Sequence, residues 1–171
     1  WEGVIHFCTE DEFVTIYRDG RIRAYPTGYF TVPAVCLTET PSTDCAELQK
    51  RHGAFGFVFK KSQLMGIGGN PVAYMLPELI EAQKKAGGFA SAIRPFINLL
   101  RLPSLHPGMS AHDFLHEREW RVAANIVLES TAPFGVIIPG KTTREKFRGE
   151  NWRTLLSAAS RFEVLDMPGD R

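Results

Sequence analysis

Apolar residues along this chain come in short blocks, some alternating with period two and some with the three-to-four spacing of a helix, with Gly and Pro between them. Gly3 to Cys8 reads as a strand. Thr9 followed by Glu12 forms a capping box that opens a helix through Phe13, Ile16 and Tyr17, and Gly20 stops it. Arg21 to Tyr25 reads as a short strand before a Pro26-Thr27-Gly28 loop, and Val32 to Thr38 as a second apolar strand closed by Pro41. A helix from Ser42 to His52 follows, its start signalled by Ser42-Thr43-Asp44. Phe55 to Phe59 is a strand, Lys61 to Met65 a turn of helix, Gly66 to Pro71 a loop by composition, and Val72 to Met75 a further strand.

From Pro77 to about Leu102 the spacing of Leu79, Ile80, Ile93, Ile97 and Leu100 predicts two helices, separated by Gly87-Gly88 and kinked at Pro95. Leu102 to His112 is Pro-rich and reads as a loop. Beyond it, Phe134 to Ile138 and Phe162 to Leu165 read as strands, and Thr142 to Phe147 and Trp152 to Ser160 as short helices. Seven or so strands joined at short range to interspersed helices predict a single α+β domain over residues 1–171, with a mixed, largely antiparallel sheet.

Within that frame Phe114-Leu115-His116-Glu117-Arg118-Glu119-Trp120-Arg121-Val122 is the richest segment. As a strand it puts His116, Arg118, Trp120 and Val122 on one face and Leu115, Glu117, Glu119 and Arg121 on the other, with Glu117 and Glu119 roughly 6–7 Å apart. Such a pair suits a cation, a ribose or a guanidinium. An edge strand laced with salt bridges is the plainer alternative.

Composition narrows the partners. The chain has 171 residues and a hydrophobic content of 44%, enough for one core and hardly enough for two. The net charge of +1 does not by itself indicate nucleic acid, which stays open as an acceptor. The chain opens Trp1-Glu2-Gly3-Val4, without a basic leader, and its apolar runs are too short to span a bilayer, so the expectation is a cytoplasmic protein with no membrane association. Cys8, Cys36 and Cys45 form no CxxC pair; Cys8 and Cys36 lie in apolar strands and read as small buried hydrophobes in a reduced compartment.

Gly66-Ile67-Gly68-Gly69 lacks the downstream Gly of a dinucleotide fingerprint and the Lys-Ser/Thr of a phosphate loop. His106, His112 and His116 cluster near the glutamates without helical HExxH spacing, so no metal site is expected. What remains is His6 in the first strand, Thr38-Glu39-Thr40 ending the second, and Glu117-x-Glu119 on a late strand. Singly, each has a structural account: a core histidine, turn chemistry, an ion pair.

In that order the three resemble the layout of ADP-ribosyltransferases, where a His or Arg on the first strand, a Ser, Thr or Tyr on the second and a Glu on a later strand frame a cleft for NAD. Ile5-His6-Phe7-Cys8-Thr9 is similar to the His-Phe-Thr opening of the DNA-modifying toxin branch, and Glu117-Arg118-Glu119 to the Glu-x-Glu of arginine-modifying members. The resemblance implies an ADP-ribosyltransferase-like fold with NAD as co-substrate. It makes Glu119 the carboxylate that stabilises positive charge at the ribose, Glu117 the group that orients or deprotonates the acceptor, and His6 a partner of the adenosine ribose, with Thr38 or Thr40 as a brace. Tyr17, Tyr25, Tyr29 and Tyr74 remain candidates for stacking on the nicotinamide, Tyr74 joining His6, Thr38 and Thr40 in the implied NAD-binding set. On this reading His6 and Glu119 lie within about 12 Å and do not face opposite sides of the sheet.

A longer run of landmarks resembles the AbiGi-like proteins, a family labelled as an antitoxin of abortive phage infection. They are His6-Phe7 followed by the Ile16 to Gly20 helix end, Val35 to Pro41, Arg51 to Phe59, Asn70-Pro71-Val72-Ala73-Tyr74 and Glu117-Arg118-Glu119-Trp120-Arg121. That resemblance implies a phage-defence or toxin–antitoxin setting with a cognate toxin or antitoxin as partner. It leaves two functions open: an NAD-using transferase or glycohydrolase, and a non-enzymatic antitoxin or protein-binding module whose glutamates pair with Arg118, Arg121 or a partner's basic groups.

Overall fold

The computed structural model describes residues 3–39, 45–100, 118–139 and 163–164. The first half of the chain runs β1 (Gly3–Cys8), α1 (Glu10–Asp19), β2 (Arg21–Ile22), β3 (Tyr25–Thr27), β4 (Val32–Thr38), α2 (Cys45–His52), β5 (Phe55–Lys60) and α3 (Lys61–Gly66). The second half adds β6 (Asn70–Pro71), β7 (Ala73–Met75), α4 (Pro77–Lys85), a 3-10 turn at Arg94–Phe96, β8 (Ile97–Leu99), β9 (Glu119–Val122), β10 (Ile126–Val127), β11 (Gly135–Ile137) and β12 (Glu163–Val164). This is a single α+β domain on a largely antiparallel sheet, in the order β12-β11-β5-β1-β4-β9-β6 with β3 paired to β4. Along that order only the β11–β12 junction is parallel.

The opening elements form as their residues dictate. The Thr9 hydroxyl accepts from the Glu12 amide at 3.3 Å, and the Thr9 amide donates to the Glu12 carboxylate at 2.8 Å, so two of the helix's orphan donors are satisfied. Glu10, Asp11 and Glu12 in the first turn suit the positive end of the helix dipole, and Gly20 closes the helix at φ 65. The apolar stripe of α1 buries Phe13 and Ile16 on the sheet, with Phe13 stacked on Phe57 at 4.6 Å between ring centroids. Burying one such side chain contributes about 1.5–3 kcal/mol.

Alternation along the strands then makes two cores. Val4, Leu37, Phe57, Phe59, Trp120 and Val122 face α1, while Ile5, Phe7, Val58 and Ile137 face the other way and gather Leu48 of α2. A third cluster, built on Ile80, Phe89 and Ile97, packs Tyr29, Phe30, Met75 and Leu99 beside the sheet.

The register positions the site. All six residues of β1 pair with β5, but toward β4 β1 has one partner pair, Ile5↔Thr38. Next along the sheet, β4 and β9 pair at four positions from Val35↔Val122 to Thr38↔Glu119. A seam therefore opens between β1 and β4 on the His6 and Cys36 side of the Ile5↔Thr38 pair.

Several expectations are corrected. No second helix forms before residue 100. Pro95 sits in the 3-10 turn, and Ile97–Leu99 pairs in parallel with Ala73–Met75, because sheet partners compete successfully with a helical spacing of apolar residues. Arg21 to Tyr25 is not one strand; β2 pairs with β10 and β3 with β4. Asn70–Pro71, expected in a loop, pairs with β9 at the end of the sheet order, a place proline tolerates. Glu119 begins β9, because Arg118 takes a left-handed turn conformation at φ 44. The face expected for Glu117 lies outside the described residues, and β9, flanked by β4 and β6, is no edge strand. The helix start at residues 42–44, the 102–112 loop and the helices at 142–147 and 152–160 lie outside the described residues. Among the described residues no helix is long and apolar enough to cross a membrane.

Candidate functional site

Strand alternation carries Cys36, Thr38, Glu119 and Arg121 onto the face away from α1, because Cys36↔Arg121 and Thr38↔Glu119 are register partners. Arg121 is 1% exposed. Its Nε donates to Glu119 Oε1 at 2.8 Å and its Nη2 to Oε2 at 3.1 Å, a bidentate pair. Its Nη1 donates to the Pro95 carbonyl at 2.8 Å, so the 3-10 turn that displaced the expected helix also holds the guanidinium. Gly28, at φ 69, makes room for it: a Cβ there would stand 2.2 Å from Nη1. Tyr74 on β7 donates its hydroxyl to Glu119 Oε2 at 2.7 Å.

Glu119, Thr38 and Arg121 line a cleft of about 430 Å³, within the range of about 300–1,000 Å³ usual for small-molecule sites. Thr27, Cys36, His52 and Asn98 also reach it. Cys36 is half-buried, not fully buried as its apolar strand suggests, and Thr27 Oγ1 lies 3.4 Å from its sulfur. Burial first, and then the negative charge of Glu119, push the Cys36 thiol above its ordinary 9.0, so it is held as a neutral thiol rather than a nucleophile. Cys8 is buried and pushed up to about 12, chiefly by burial.

His6 enters the cleft differently. It pairs with Phe57, so alternation places it on the α1 face, opposite Glu119. That corrects the expectation, on which the NAD reading was staked, that the two residues would not face opposite sides of the sheet, and it counts against that reading. Both nevertheless line the cleft, because the parted seam between β1 and β4 gives the imidazole access from the other side. Its Nδ1 bonds the Cys36 carbonyl at 2.9 Å, which fixes Nδ1 as the donor and leaves Nε2 as the acceptor of the neutral ring. Burial pushes His6 below 6.5, against the opposing pull of that carbonyl bond, and the ring is neutral near pH 7.

A second carboxylate stands in the Thr38-Glu39-Thr40 segment, where only the threonines had been given roles. Glu39, just past β4, accepts from Lys61 Nζ at 2.7 Å and from Trp120 Nε1 at 2.9 Å, with Arg118 Nη1 at 3.5 Å. Burial alone would raise its pKa, but the two hydrogen bonds and the Lys61 and Arg118 charges outweigh it and hold the carboxyl below 4.5.

Of the residues singled out from sequence, the structure brings His6, Thr38 and Glu119 to one cleft. Tyr74 donates to Glu119 and does not itself line the cleft. Glu117, Thr40, His106, His112 and His116 lie outside the described residues. Of the two arginines that the sequence offered as partners of the glutamates, Arg121 takes Glu119, while Arg118 lies by Glu39. Sequence reading passed over Gly28 and Asn98, which only the fold brings near. Among the described residues no three metal-binding side chains gather. Compared with known protein families, curated proteins and solved structures, the chain matches none.

Proposed function

We propose that this cleft binds NAD and that the protein is an ADP-ribosyltransferase-like enzyme, a transferase or NAD glycohydrolase, acting in a phage-defence or toxin–antitoxin setting. The observation that carries the reading is convergence: His6, Thr38 and Glu119, chosen by order and chemistry from three separate segments, line one cleft of about 430 Å³. The setting rests on the ordered AbiGi-like landmarks. NAD supplies the bond to be broken, between its nicotinamide and a ribose. Glu119 holds negative charge where positive charge develops at that ribose, in a cleft partly shielded from water. Arg121 and Tyr74 fix the carboxylate's two oxygens in orientation. His6 offers the Nε2 of a neutral ring to a ribose hydroxyl, and Thr38, directly across from Glu119, braces the same site.

One observation favours the alternative, a non-enzymatic antitoxin or protein-binding module. Both oxygens of Glu119 are engaged by an almost fully buried Arg121, an arrangement that architecture alone would also select. For the same reason a Glu119→Gln variant loses stability on either reading, and the intact chain makes the sharper experiment. Incubated with NAD, it should release nicotinamide, and its melting transition should rise with NAD concentration, by the equivalent of about 2.7 kcal/mol at a hundredfold excess over Kd. Neither nicotinamide nor any rise at millimolar NAD would overturn the enzyme reading and leave the binding module.

A further inference from the structure

On the α1 side of the seam lies a larger groove, about 960 Å³, which shares His6, Phe7 and His52 with the Glu119 cleft. Its walls come from α1, the β2–β3 stretch and the last turn of α2. That last turn is set close to the end of β1 by Gly53, at φ 107, where a Cβ would stand 2.2 Å from the Cys8 carbonyl oxygen. The lining carries Arg18, Arg21, Arg23, Lys50 and Arg51 against Asp11, Glu12 and Asp19, an excess of two positive charges where the whole chain has a net charge of +1. Tyr25 stands in it with 66% of its surface exposed.

These features have ordinary uses. Lys50, Arg51 and His52 complement the negative end of α2, and Arg18 and Arg23 pair with Asp19 at 3.2 and 3.1 Å. Those two arginine side chains are 71% and 59% exposed, however, and ion pairs so solvated contribute little, so they exchange readily for another anion. Tyr25, which opens β3 opposite Ala34, sets a large, exposed aromatic ring among five cations. A basic groove with an accessible ring is what a single-stranded polyanion with flat bases requires: the cations track phosphates and the ring stacks on a base.

We infer that this groove binds single-stranded nucleic acid, Tyr25 stacking on a base while Arg21 and its neighbours hold the phosphates. As the place where an acceptor is held, it rests on the NAD reading above, since the strand would meet the Glu119 cleft at His6. Strand binding itself does not depend on that reading.

The test is fluorescence anisotropy of the full chain with labelled oligothymidylate and oligouridylate, without NAD, over a range of salt concentrations. The intact protein should bind at least one of the two, the better one showing whether DNA or RNA is preferred, and should bind the matching duplex more weakly. Tyr25→Ala should weaken binding by about 5–150-fold, the range for removing the stacking partner of one base. Arg21→Glu should also weaken it and reduce the salt slope, by about 0.7 for each phosphate no longer neutralised. Both side chains are exposed, and unchanged melting temperatures would show that the variants fold. Lys85→Glu, a charge reversal on the exposed surface of α4 away from the groove, should change nothing. No binding at low salt, equal binding of duplex or of an acidic polyglutamate, or binding indifferent to Tyr25→Ala and Arg21→Glu would overturn the inference. Strand binding by a protein that never releases nicotinamide would keep the groove and remove the transferase.

Discussion

Glu119 and Glu39 stand at the same end of the β4–β9 pair, their side chains 13% and 17% exposed, and are used in different ways. Glu119 points away from α1 into a cleft, locked by a buried guanidinium and a tyrosine hydroxyl. Glu39, whose partner Trp120 belongs to the α1-side core, clamps that indole to a surface lysine. Depth of burial does not separate the two. The partners do: Arg121 has no access to water when its carboxylate is removed, whereas Lys61 and Arg118, at 30% and 62% exposure, do.

The difference between them is largest at Arg121. Arg121→Ala leaves Glu119 partly buried without its counter-charge and should cost about 3–5 kcal/mol in denaturant unfolding. If the loss is no larger than that from Glu39→Gln, the two carboxylates are equivalent and the distinction fails.

Glu39→Gln keeps an acceptor for Trp120 and releases two cations to water, so about 1 kcal/mol is expected. Its pH signature separates the two carboxylates further. The folded state holds Glu39 below 4.5, so its contribution is complete above the unfolded value and is lost as pH falls through the lower folded one. In Glu39→Gln the acid limb of the stability–pH curve should flatten below about pH 4.5. A limb identical to that of the parent would mean that the Lys61 and Arg118 pairings hold nothing in solution.

Tyr74→Phe is the smallest change. It removes the tyrosine's bond to Glu119 and leaves the bidentate pair intact, so about 0.5–1.5 kcal/mol should be lost. On the enzyme reading, nicotinamide release should fall by more than that stability loss explains, because the carboxylate's orientation is loosened while its charge remains. A fall matched by the unfolded fraction alone would leave Tyr74 a purely structural hydroxyl.

Local signals in the sequence were strong where the chain satisfies itself. The Thr9-Glu12 box with Gly20 marked α1 at both ends, and the uninterrupted apolar run of Val32–Thr38 gave β4 its limits. The signals failed where a distant partner decides. Ile97–Leu99 carries helical spacing but pairs with β7, and Asn70–Pro71 has the composition of a loop but pairs with β9. Arg118, a residue with no glycine-like signal, turns at positive φ just before β9.

The sequence by itself determined the α+β class, the largely antiparallel sheet and the chemical types available for a site, since periodicity and capping depend on residues close in the chain. It also determined that Thr38 and Glu119 were worth joining. Only the tertiary structure decided that they face one another, that Arg121 rather than Arg118 takes both oxygens of Glu119, and that His6 reaches the cleft through a seam rather than across a shared face. Register between strands some eighty residues apart, and the single pair at which β1 still touches β4, are set by the packing of two cores on opposite faces of the sheet, and no local pattern encodes that balance.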